Sequence, residues 1–301
     1  MSVAFLSNLQ MRRVLITGAH GFTGGYIRDD LIAAGYWVAG TCCNSPKGGE
    51  LRLDITSLTD CRQVIEAVRP DFIIHLAAIS FVAHDVPLDM YHVNVLGTLN
   101  LLQACADIGH QPDKILVVSS ANVYGNAGGI IDEKVRPEPV NHYGASKLAM
   151  ENLVKTWFDR LPIVVVRPFN YTGRGQAPRF LIPKIVSHFV DRRPVIELGN
   201  LDVARDFSDV RTVAKIYRAL LVSDAVSDIV NVCSGRPYTL QEVIDMVRDA
   251  SGHQLEVRVN PAFVRENEVK MLVGSPEKLR RLAPEVGAID FLDTIRWMVG
   301  C

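Results

Sequence analysis

Short, fully apolar runs alternate with longer amphipathic stretches through the first half of the chain. The apolar runs predict strands at residues 13–17, 37–41, 71–78, 115–118 and 163–166. The amphipathic stretches predict helices that end near Ala34, begin near Ser57, and lie within 85–108 and 141–158. Runs that are apolar throughout indicate strands buried on both faces, so the alternation is typical of an α/β fold with a doubly wound parallel sheet.

Beyond Asn170 the pattern changes, because proline and glycine become dense up to Pro183 and short strands follow. The predicted elements of this half are a strand at 230–233 and helices at 239–250, 276–282 and 291–299. They predict a smaller C-terminal α/β lobe that binds the substrate. The predicted domains are a sheet domain over 12–170, to which the chain returns around 205–235, and a lobe comprising most of 171–301.

The composition is that of an ordinary globular chain: its 301 residues are 48% hydrophobic and 22% charged, with a formal net charge of −1. There is no basic excess to follow a nucleic acid, and no apolar stretch reaches the roughly 18 residues of a membrane span. The six cysteines form no Cys-x-x-Cys pair, so a reducing cytoplasm and no metal site are expected. Residues 1–11 lack a secretion signal and are predicted to be a disordered tail or an over-long gene start.

A glycine-rich turn joins the first strand to the first helix. Gly18, Gly21 and Gly24 follow Thr17 in the spacing Gly-x-x-Gly-x-x-Gly. Glycines here allow a tight bend and close approach of the backbone to a pyrophosphate, while the helix N-terminus offers free N–H groups. The motif predicts a Rossmann-type dinucleotide site at the start of the chain.

Tyr143 and Lys147 are the foremost candidates for chemistry. They are four residues apart, so on a helix they share one face. Ser120 follows the apolar run at 115–118, at a strand end where ligands of open α/β sheets bind. The Lys147 ammonium is expected to lower the pKa of the Tyr143 phenol, and Ser120 to hold the substrate oxygen that Tyr143 protonates or deprotonates.

The end of the second strand bears on the choice of cofactor. An acidic residue at this place usually bonds the adenosine ribose of NAD. Here the strand is followed by Cys42 and Cys43, and no carboxylate appears before Glu50. A 2′-phosphate would meet no repulsion, and Lys47 or Arg52 could attract it. The sequence therefore predicts NAD(P)H with a leaning toward NADP.

Arg205 is the main candidate in the second half of the chain. It follows a glycine-containing turn and precedes a predicted helix. An arginine at this place could grip a diphosphate or a nucleotide ring. The alternative is a surface salt bridge with Asp206 or Asp209.

These motifs together resemble the extended short-chain dehydrogenase/reductases, the NAD-dependent epimerase/dehydratase family. The resemblance rests on the glycine spacing, on Ser120, Tyr143 and Lys147, and on Val123-Tyr124-Gly125, and it spans residues 14–299. The stretches that look most like the bacterial GDP-4-keto-6-deoxy-D-mannose reductases are 167–170, 203–210 and 231–235. A GDP-linked substrate is implied by this resemblance alone.

The resemblance also implies a full set of site residues. It implies cofactor contacts at Gly18, His20, Gly21, Phe22, Thr23, Gly24, Asp54, Ile55, Leu76, Ala77, Ala78, Ser80, Asn94, Ser119, Tyr143, Lys147 and Pro168. It implies substrate contacts at Ser80, Ser120, Asn122, Asn170, Arg205, Arg265 and Glu268. In the family the residue matching Asp54 bonds the adenine; a turn residue that caps the next helix is the alternative. A homodimer through the helices near 85–108 and 141–158 is implied as well.

The two residues after Ser120 help to distinguish the dehydratases of this family from its other enzymes. Sugar 4,6-dehydratases carry a glutamate here, and its carboxylate removes and returns the protons of water elimination. This chain has Ala121 and Asn122 instead, and an amide is not a base at neutral pH. Dehydration is therefore disfavoured, and simple hydride transfer at a sugar carbon remains.

The function expected from the sequence is reduction of a keto-sugar nucleotide, from GDP-4-keto-6-deoxy-D-mannose to a GDP-6-deoxyhexose. One alternative is a nucleotide-sugar 4-epimerase that retains its NAD. A second is an enzyme like the GDP-mannose 4,6-dehydratases, and a third is a non-enzymatic NADP-sensing protein. The complete set of Ser120, Tyr143 and Lys147 argues against the last, because such proteins often lose the tyrosine or the lysine.

Overall fold

The computed structural model describes residues 11–46, 48–81, 85–263 and 269–301. The predicted tail, apart from Met11, lies outside the described residues, and so do Lys47, Arg265 and Glu268. The strands are β1 (Arg13–Thr17), β2 (Trp37–Cys42), β3 (Leu51–Arg52), β4 (Phe72–His75), β5 (Lys114–Val118), β6 (Gly129–Ile131), β7 (Ile163–Pro168), β8 (Asn170–Thr172), β9 (Val195–Leu198), β10 (Ala204–Asp209), β11 (Asp228–Val232), β12 (Pro237–Thr239), β13 (Glu256–Val259) and β14 (Met271–Gly274). The α-helices are α1 (Phe22–Ala33), α2 (Leu58–Val68), α3 (Pro87–Tyr91), α4 (Gly97–Asp107), α5 (His142–Lys155), α6 (Leu181–Val190), α7 (Val210–Val222), α8 (Leu240–Ser251), α9 (Glu277–Leu282) and α10 (Phe291–Val299).

The apolar runs of the first half lie side by side in a seven-stranded sheet of order β11-β7-β5-β4-β1-β2-β3. All its pairings are parallel. The chain starts at β1, moves outward to β3, and then returns to the other side of β1 at β4. A crevice opens at the carboxyl ends of the strands where this direction reverses, the usual ligand site of such sheets. The predicted doubly wound parallel sheet is confirmed.

Both faces of this sheet are buried, which explains why its strands are apolar at consecutive positions. Val14 and Ile16 of β1 belong to the core that includes α1 and α7. Leu15, between them, belongs to the core on the opposite face, which includes α2, α4 and α5. The alternation of side chains along a strand sends neighbours to opposite faces.

A second layer of strands lies beyond the carboxyl ends of the first sheet. It has the order β12-β10-β14-β6, with β8 paired to β10, and β9 pairs separately with β13. Its core includes residues of α6, α8 and α10. The short strand β6 comes from the first half of the chain, whereas α7 and β11 of the second half pack with the first sheet.

Two elements differ from their predicted form. The long helix predicted within 85–108 consists of α3, a π-helical stretch at His92–Leu96, and α4. π-Helical turns are rare and frequently occur at functional sites. The strand predicted over 71–78 ends at His75, so the following residues leave the sheet at its carboxyl edge. None of the described helices is long and apolar enough to span a bilayer.

Candidate active site

A cavity of about 1040 Å³ opens at the carboxyl ends of β1, β4, β5 and β7 and is bounded on its other side by the second layer. The predicted site residues that line it are Gly18, Gly21, Phe22, Thr23, Gly24, Leu76, Ala77, Ala78, Ser80, Ser119, Ser120, Asn122, Tyr143, Lys147, Pro168 and Asn170. Five other predicted site residues that the structure describes do not line the cavity: His20, Asp54, Ile55, Asn94 and Arg205.

The glycine loop forms one end of the cavity. Helix α1 begins after Gly21, with no side-chain cap and no acidic residue in its first turn. Its first N–H groups and the positive end of its dipole are therefore available to an anion. A Cβ at Gly24 would lie 2.5 Å from the Ala19 carbonyl oxygen, and one at Gly18 would lie 2.9 Å from the Ala77 nitrogen. The bare backbone closes the loop tightly against α1 and against the segment that follows β4, and this shape fits the diphosphate of a dinucleotide.

Ser120, Tyr143 and Lys147 lie together in the cavity wall, and all three are buried. Ser120 follows β5 and caps a short 3₁₀ turn, while the other two share a face of α5. The Ser120 side chain interacts with the Tyr143 phenol and favours its charged form. Lys147 Nζ donates to the Val118 carbonyl oxygen at 2.8 Å. The three groups predicted to act together therefore line the same cavity, and their catalytic roles stay a prediction.

The pKa values at this site differ from the expectation. Burial raises the pKa of the Tyr143 phenol to about 12, and the hydrogen bond with Ser120 opposes that shift. Burial also lowers the pKa of Lys147 to about 8, which the Glu151 carboxylate partly offsets. The Tyr143 pKa is thus raised and not lowered as predicted, because desolvation of the phenolate dominates.

A buried ion pair lies behind the catalytic candidates. Glu151 stands one turn after Lys147 on α5, and Arg167 of β7 contacts it through two N–H groups at 2.9 and 2.5 Å. Glu151 also accepts a hydrogen bond from Ser119 Oγ at 2.5 Å, and Arg167 donates to the Tyr124 hydroxyl at 2.9 Å. This network joins α5 to β7 and to the turn that carries Ser120. Sequence reasoning missed both charges, although an arginine inside an apolar strand and a glutamate in register with Lys147 were visible signals.

Asn122 is one of the two residues at which the resemblance predicts the absence of a dehydratase carboxylate. Its backbone nitrogen and its Nδ2 both donate to Ser120 Oγ, at 3.2 and 3.1 Å. Because the serine oxygen accepts these two bonds, its own proton is available to Tyr143 or to a substrate oxygen. Asn122 thus orients the serine, and no carboxylate stands at this position.

Asn94 lies behind the cavity wall rather than in it. Its Oδ1 accepts from the Ile79 nitrogen at 2.9 Å, and its Nδ2 donates to Ser146 Oγ at 3.0 Å. Ser146 in turn donates to the Tyr143 carbonyl oxygen at 2.8 Å. Asn94 therefore fastens the loop after β4 to the first turns of α5, and its predicted contact with the cofactor stays a prediction.

Asp54 and Ile55 shape the turn between β3 and α2. Asp54 Oδ1 accepts from the Thr56 hydroxyl at 2.7 Å and from its backbone nitrogen at 2.9 Å, and these bonds lower the pKa of Asp54. Ser57 caps α2, so the alternative in which Asp54 is the cap is wrong. Ile55 is buried against Gly97. Adenine contact by Asp54 stays a prediction.

The Glu50 carboxylate lies near the end of β2. The cofactor prediction had assumed that no carboxylate lies there, because none appears in the sequence between Thr41 and Glu50. The Glu50 side chain is only 6% exposed, and its Oε2 lies 3.4 Å from His20 Nδ1. The candidate ligand atoms of His20, Cys42 and Glu50 lie within 4.8 Å of one another, the one such group of three among the described residues. Glu50 is distant from Cys42 in sequence, but the chain returns it to the same strand end.

The second lobe lines its end of the cavity with cations and aromatic rings. The Arg179 guanidinium lies 4.7 Å from the centre of the Phe81 ring and 5.5 Å from that of Phe180. The Lys184 ammonium lies 4.9 Å from the Phe263 ring centre. Flat rings and cations together suit a nucleotide base and its phosphates. Sequence reasoning missed these residues; adjacent Arg179 and Phe180, just after the segment dense in proline and glycine, were the available signal.

Two residues of β8 connect the lobes at the cavity. Asn170 Nδ2 donates to the Asp206 carbonyl oxygen at 3.2 Å. The Tyr171 hydroxyl forms a 2.8 Å hydrogen bond with Thr23 Oγ1 of the glycine loop. Tyr171 was not predicted as a site residue. Its hydrogen bond with Thr23 connects the start of the second lobe to the glycine loop.

Arg205 forms a hydrogen bond with Val269, the first residue of the last described range. Its guanidinium donates to the Val269 carbonyl oxygen at 2.8 Å. The two partners of the salt-bridge alternative are engaged elsewhere, since Asp206 accepts from three backbone N–H groups and Asp209 pairs with Arg211. Nucleotide contact by Arg205 stays a prediction.

The sheet, the glycine loop and the Ser120, Tyr143 and Lys147 arrangement define a short-chain dehydrogenase/reductase, an NAD(P)-dependent oxidoreductase of the class that modifies nucleotide sugars. A family model described as GDP-mannose 4,6 dehydratase matches residues 15–283, and the chain belongs to that family. The predicted resemblance to the epimerase/dehydratase family is confirmed.

Individual relatives agree with this assignment. The chain is 35% identical over 274 residues to the GDP-6-deoxy-D-talose 4-dehydrogenase of Aggregatibacter actinomycetemcomitans, covering 89% of this chain and 90% of that protein. It is 34% identical over 280 residues to the GDP-6-deoxy-D-mannose reductase of Pseudomonas aeruginosa, with the same two coverages. The structure of RMD from Pseudomonas aeruginosa with NADPH superimposes with a TM-score of 0.85 at 30% identity, covering 96% of each chain.

Replacing Tyr143 with phenylalanine removes one hydroxyl from the cavity wall. We expect Tyr143→Phe to retain cofactor binding and to lower kcat by about 10²–10⁴-fold, the usual weight of general acid catalysis. Steady-state rates measure the loss. Tyr217→Phe is the matched control, because it removes a buried hydroxyl that has no hydrogen-bond partner among the described residues and does not line the cavity, so it should keep most of the activity. A near wild-type rate for Tyr143→Phe would exclude the assigned role.

Glu151 should set the pH range in which Lys147 stays charged. Lys147 is protonated below its pKa of about 8, and the Glu151 carboxylate raises that pKa. Glu151→Gln should therefore move the alkaline fall of kcat/KM to lower pH. Ser119→Ala is the control, since it removes a hydrogen bond to Glu151 but leaves the charge. Circular dichroism checks the fold, because Arg167 loses its partner. An unmoved alkaline limb in a folded variant would contradict the coupling.

Proposed function

We propose that the chain is an NAD(P)H-dependent reductase of a GDP-linked keto-sugar, which converts GDP-4-keto-6-deoxy-D-mannose to a GDP-6-deoxyhexose. The observation that carries the proposal is the combination of Ser120, Tyr143 and Lys147 with Asn122 at the place of a dehydratase carboxylate. Identities of 34–35% to a GDP-6-deoxy-D-mannose reductase and a GDP-6-deoxy-D-talose 4-dehydrogenase support the GDP-sugar substrate.

The nicotinamide cofactor supplies the hydride of such a reduction when it is bound. The chain must then hold the carbonyl and deliver a proton to its oxygen. Tyr143 is a suitable donor, because its raised pKa of about 12 keeps the phenol protonated at neutral pH. Ser120 donates a hydrogen bond to the same oxygen, since its acceptor sites are taken by Asn122.

Lys147 completes the proton transfer. When Tyr143 has given up its proton, the Lys147 ammonium and the Ser120 hydroxyl stabilise the phenolate that remains. Lys147 donates to Val118 and has two further N–H groups, which suit a ribose hydroxyl of the cofactor.

The nucleotide half of the substrate is assigned to the second lobe. Arg179 and Lys184 provide positive charge for a diphosphate, while Phe180 and Phe263 provide apolar faces for a base. Asn170 lines the same cavity and is assigned to the sugar or to the nearer phosphate. The proposal also retains Arg205 as a contact of the nucleotide.

A homodimer through the helices near 85–108 and 141–158 is part of the proposal. Leu88 and Leu96 are 77% and 47% exposed, although both are large and apolar. Tyr91 of α3 forms a 3.2 Å hydrogen bond with His142 of α5, so the two helices share one surface. Exposed apolar residues clustered on one helical surface are typical of an interface.

The reaction is tested by supplying the 4-keto-6-deoxy sugar, generated from GDP-mannose by a separate dehydratase, and by following the reduced nicotinamide. We expect one cofactor to be oxidised for each GDP-6-deoxyhexose formed. An epimerase would show turnover without net cofactor use. Formation of the 4-keto-6-deoxy product from GDP-mannose by this chain alone would instead show a dehydratase. Tyr143→Phe controls for contaminating activity.

The dimer is tested by placing a charge in the proposed interface. Leu88→Arg should shift the molar mass measured by light scattering from that of a dimer toward that of a monomer. Ile130→Arg is the matched control, because Ile130 is 72% exposed in β6 and lies outside the proposed surface. A wild-type monomer, or an unchanged Leu88→Arg dimer, would contradict the proposed interface.

A further inference from the structure

Tyr171 of the second lobe contacts the first turn of α1 through both its hydroxyl and its ring. The hydroxyl lies 2.8 Å from Thr23 Oγ1. The ring stacks on that of Phe22, with the two centroids 6.3 Å apart and the planes 11° from parallel. All three residues line the cavity, and Phe22 and Thr23 are the first two residues of α1. Tyr171 is therefore bonded to the helix N-terminus that suits an anion.

The hydrogen bond between these two hydroxyls would respond to a bound phosphate. Burial raises the pKa of the Tyr171 phenol, so the phenol is neutral at physiological pH and each hydroxyl carries one proton. The geometry allows either group to donate to the other. A phosphate that accepts the Thr23 proton leaves Thr23 Oγ1 only as an acceptor, so Tyr171 must then donate to it. The phosphate thereby orients the Tyr171 hydroxyl and strengthens its bond, because hydrogen bonds in a chain polarise one another.

Tyr171 also fixes the backbone that presents two cavity residues of the second lobe. Asn170, its neighbour on β8, lines the cavity. Gln176 lines it as well, and its Nε2 donates to the Tyr171 carbonyl oxygen at 3.3 Å. Gln176 Oε1 in turn accepts from Thr172 Oγ1 at 2.7 Å. When the Tyr171 side chain is held on α1, the positions of Asn170 and Gln176 are therefore restricted too.

We propose that the hydrogen bond between Tyr171 and Thr23 couples the two ligand sites, so that a dinucleotide on the glycine loop strengthens the binding of a nucleoside diphosphate in the second lobe. Tyr171 acts here as a positioning residue. The dinucleotide orders β8, and the second ligand then meets residues that are already in place and pays less conformational entropy. The coupling is reciprocal, so the nucleoside diphosphate strengthens cofactor binding by the same factor. The inference rests on the two ligand sites of the proposed function, but not on the sugar or on the direction of the reaction.

The test measures the Kd of GDP by isothermal titration calorimetry, with the pure protein alone and with the protein saturated with NAD⁺ or NADP⁺, whichever binds more tightly. We expect the dinucleotide to lower the Kd of GDP in the wild type about fivefold or more, within the usual range of coupling between sites. Tyr171→Phe should bring the ratio of the two Kd values close to one. A merely structural role of Tyr171 would raise both Kd values and leave their ratio unchanged.

Matched variants separate the hydroxyl contact from the general docking of the second lobe on α1. Thr23→Val removes the other hydroxyl and should also bring the ratio close to one, whereas Thr23→Ser keeps a hydroxyl and should retain the coupling. These two variants keep the test decisive if Tyr171→Phe does not fold. Tyr26→Phe removes another hydrogen bond from α1 to the second lobe, of 2.7 Å to the Arg174 carbonyl oxygen, from outside the cavity wall. It should leave the ratio unchanged.

Three results would overturn the inference. They are a ratio near one in the wild type, an unchanged ratio in a folded Tyr171→Phe or Thr23→Val variant, and no binding of GDP to the wild type loaded with dinucleotide. An equal loss of coupling in Tyr26→Phe would overturn it as well, because any contact between α1 and the second lobe would then suffice. Reduction of the keto-sugar with independent binding would fail only this inference, whereas cooperative binding without reduction would fail only the proposed function.

Discussion

The buried pair of Glu151 and Arg167 is the interaction on which the active site depends. Two charges without solvent are costly unless each is fully hydrogen-bonded, and this pair meets that condition through its bidentate contact and through Ser119 and Tyr124. Loss of one partner from such a pair typically costs about 3–5 kcal/mol, because the other charge is left buried. The cost makes the relative position of α5, β5 and β7 highly specific. The catalytic candidates are carried by α5 and by the turn that follows β5.

Residues from both lobes line the same cavity, so the two lobes can bind one ligand together. The first sheet domain provides the glycine loop and Tyr143, and the second lobe provides Arg179 and Lys184. Tyr171 connects the two through its hydrogen bond with Thr23. A ligand with a nucleotide at one end and a reactive sugar at the other matches this division, since binding energy from the remote end can orient the reacting carbon.

Burial decides the chemical character of the proton donor. A tyrosine beside a lysine suggests a phenolate, yet the desolvated phenol of Tyr143 has a pKa raised to about 12 and carries its proton at neutral pH. Asn122 donates a hydrogen bond to Ser120, and the Ser120 side chain interacts with this phenol. Such a group is suited to protonating an alkoxide, which agrees with reduction as the proposed direction.

Local patterns in the sequence determined the parallel sheet, the glycine loop and the pairing of Tyr143 with Lys147. These features depend on neighbours along the chain: apolar runs buried on both faces, a turn that only glycine fits, and a spacing of one helical turn. The tertiary structure alone decided the position of Glu50, the partner of Glu151 and the pKa of Tyr143. Each of these arises from contact between distant segments or from desolvation, and neither the register of β3 on β2 nor the depth of α5 is encoded in any local pattern.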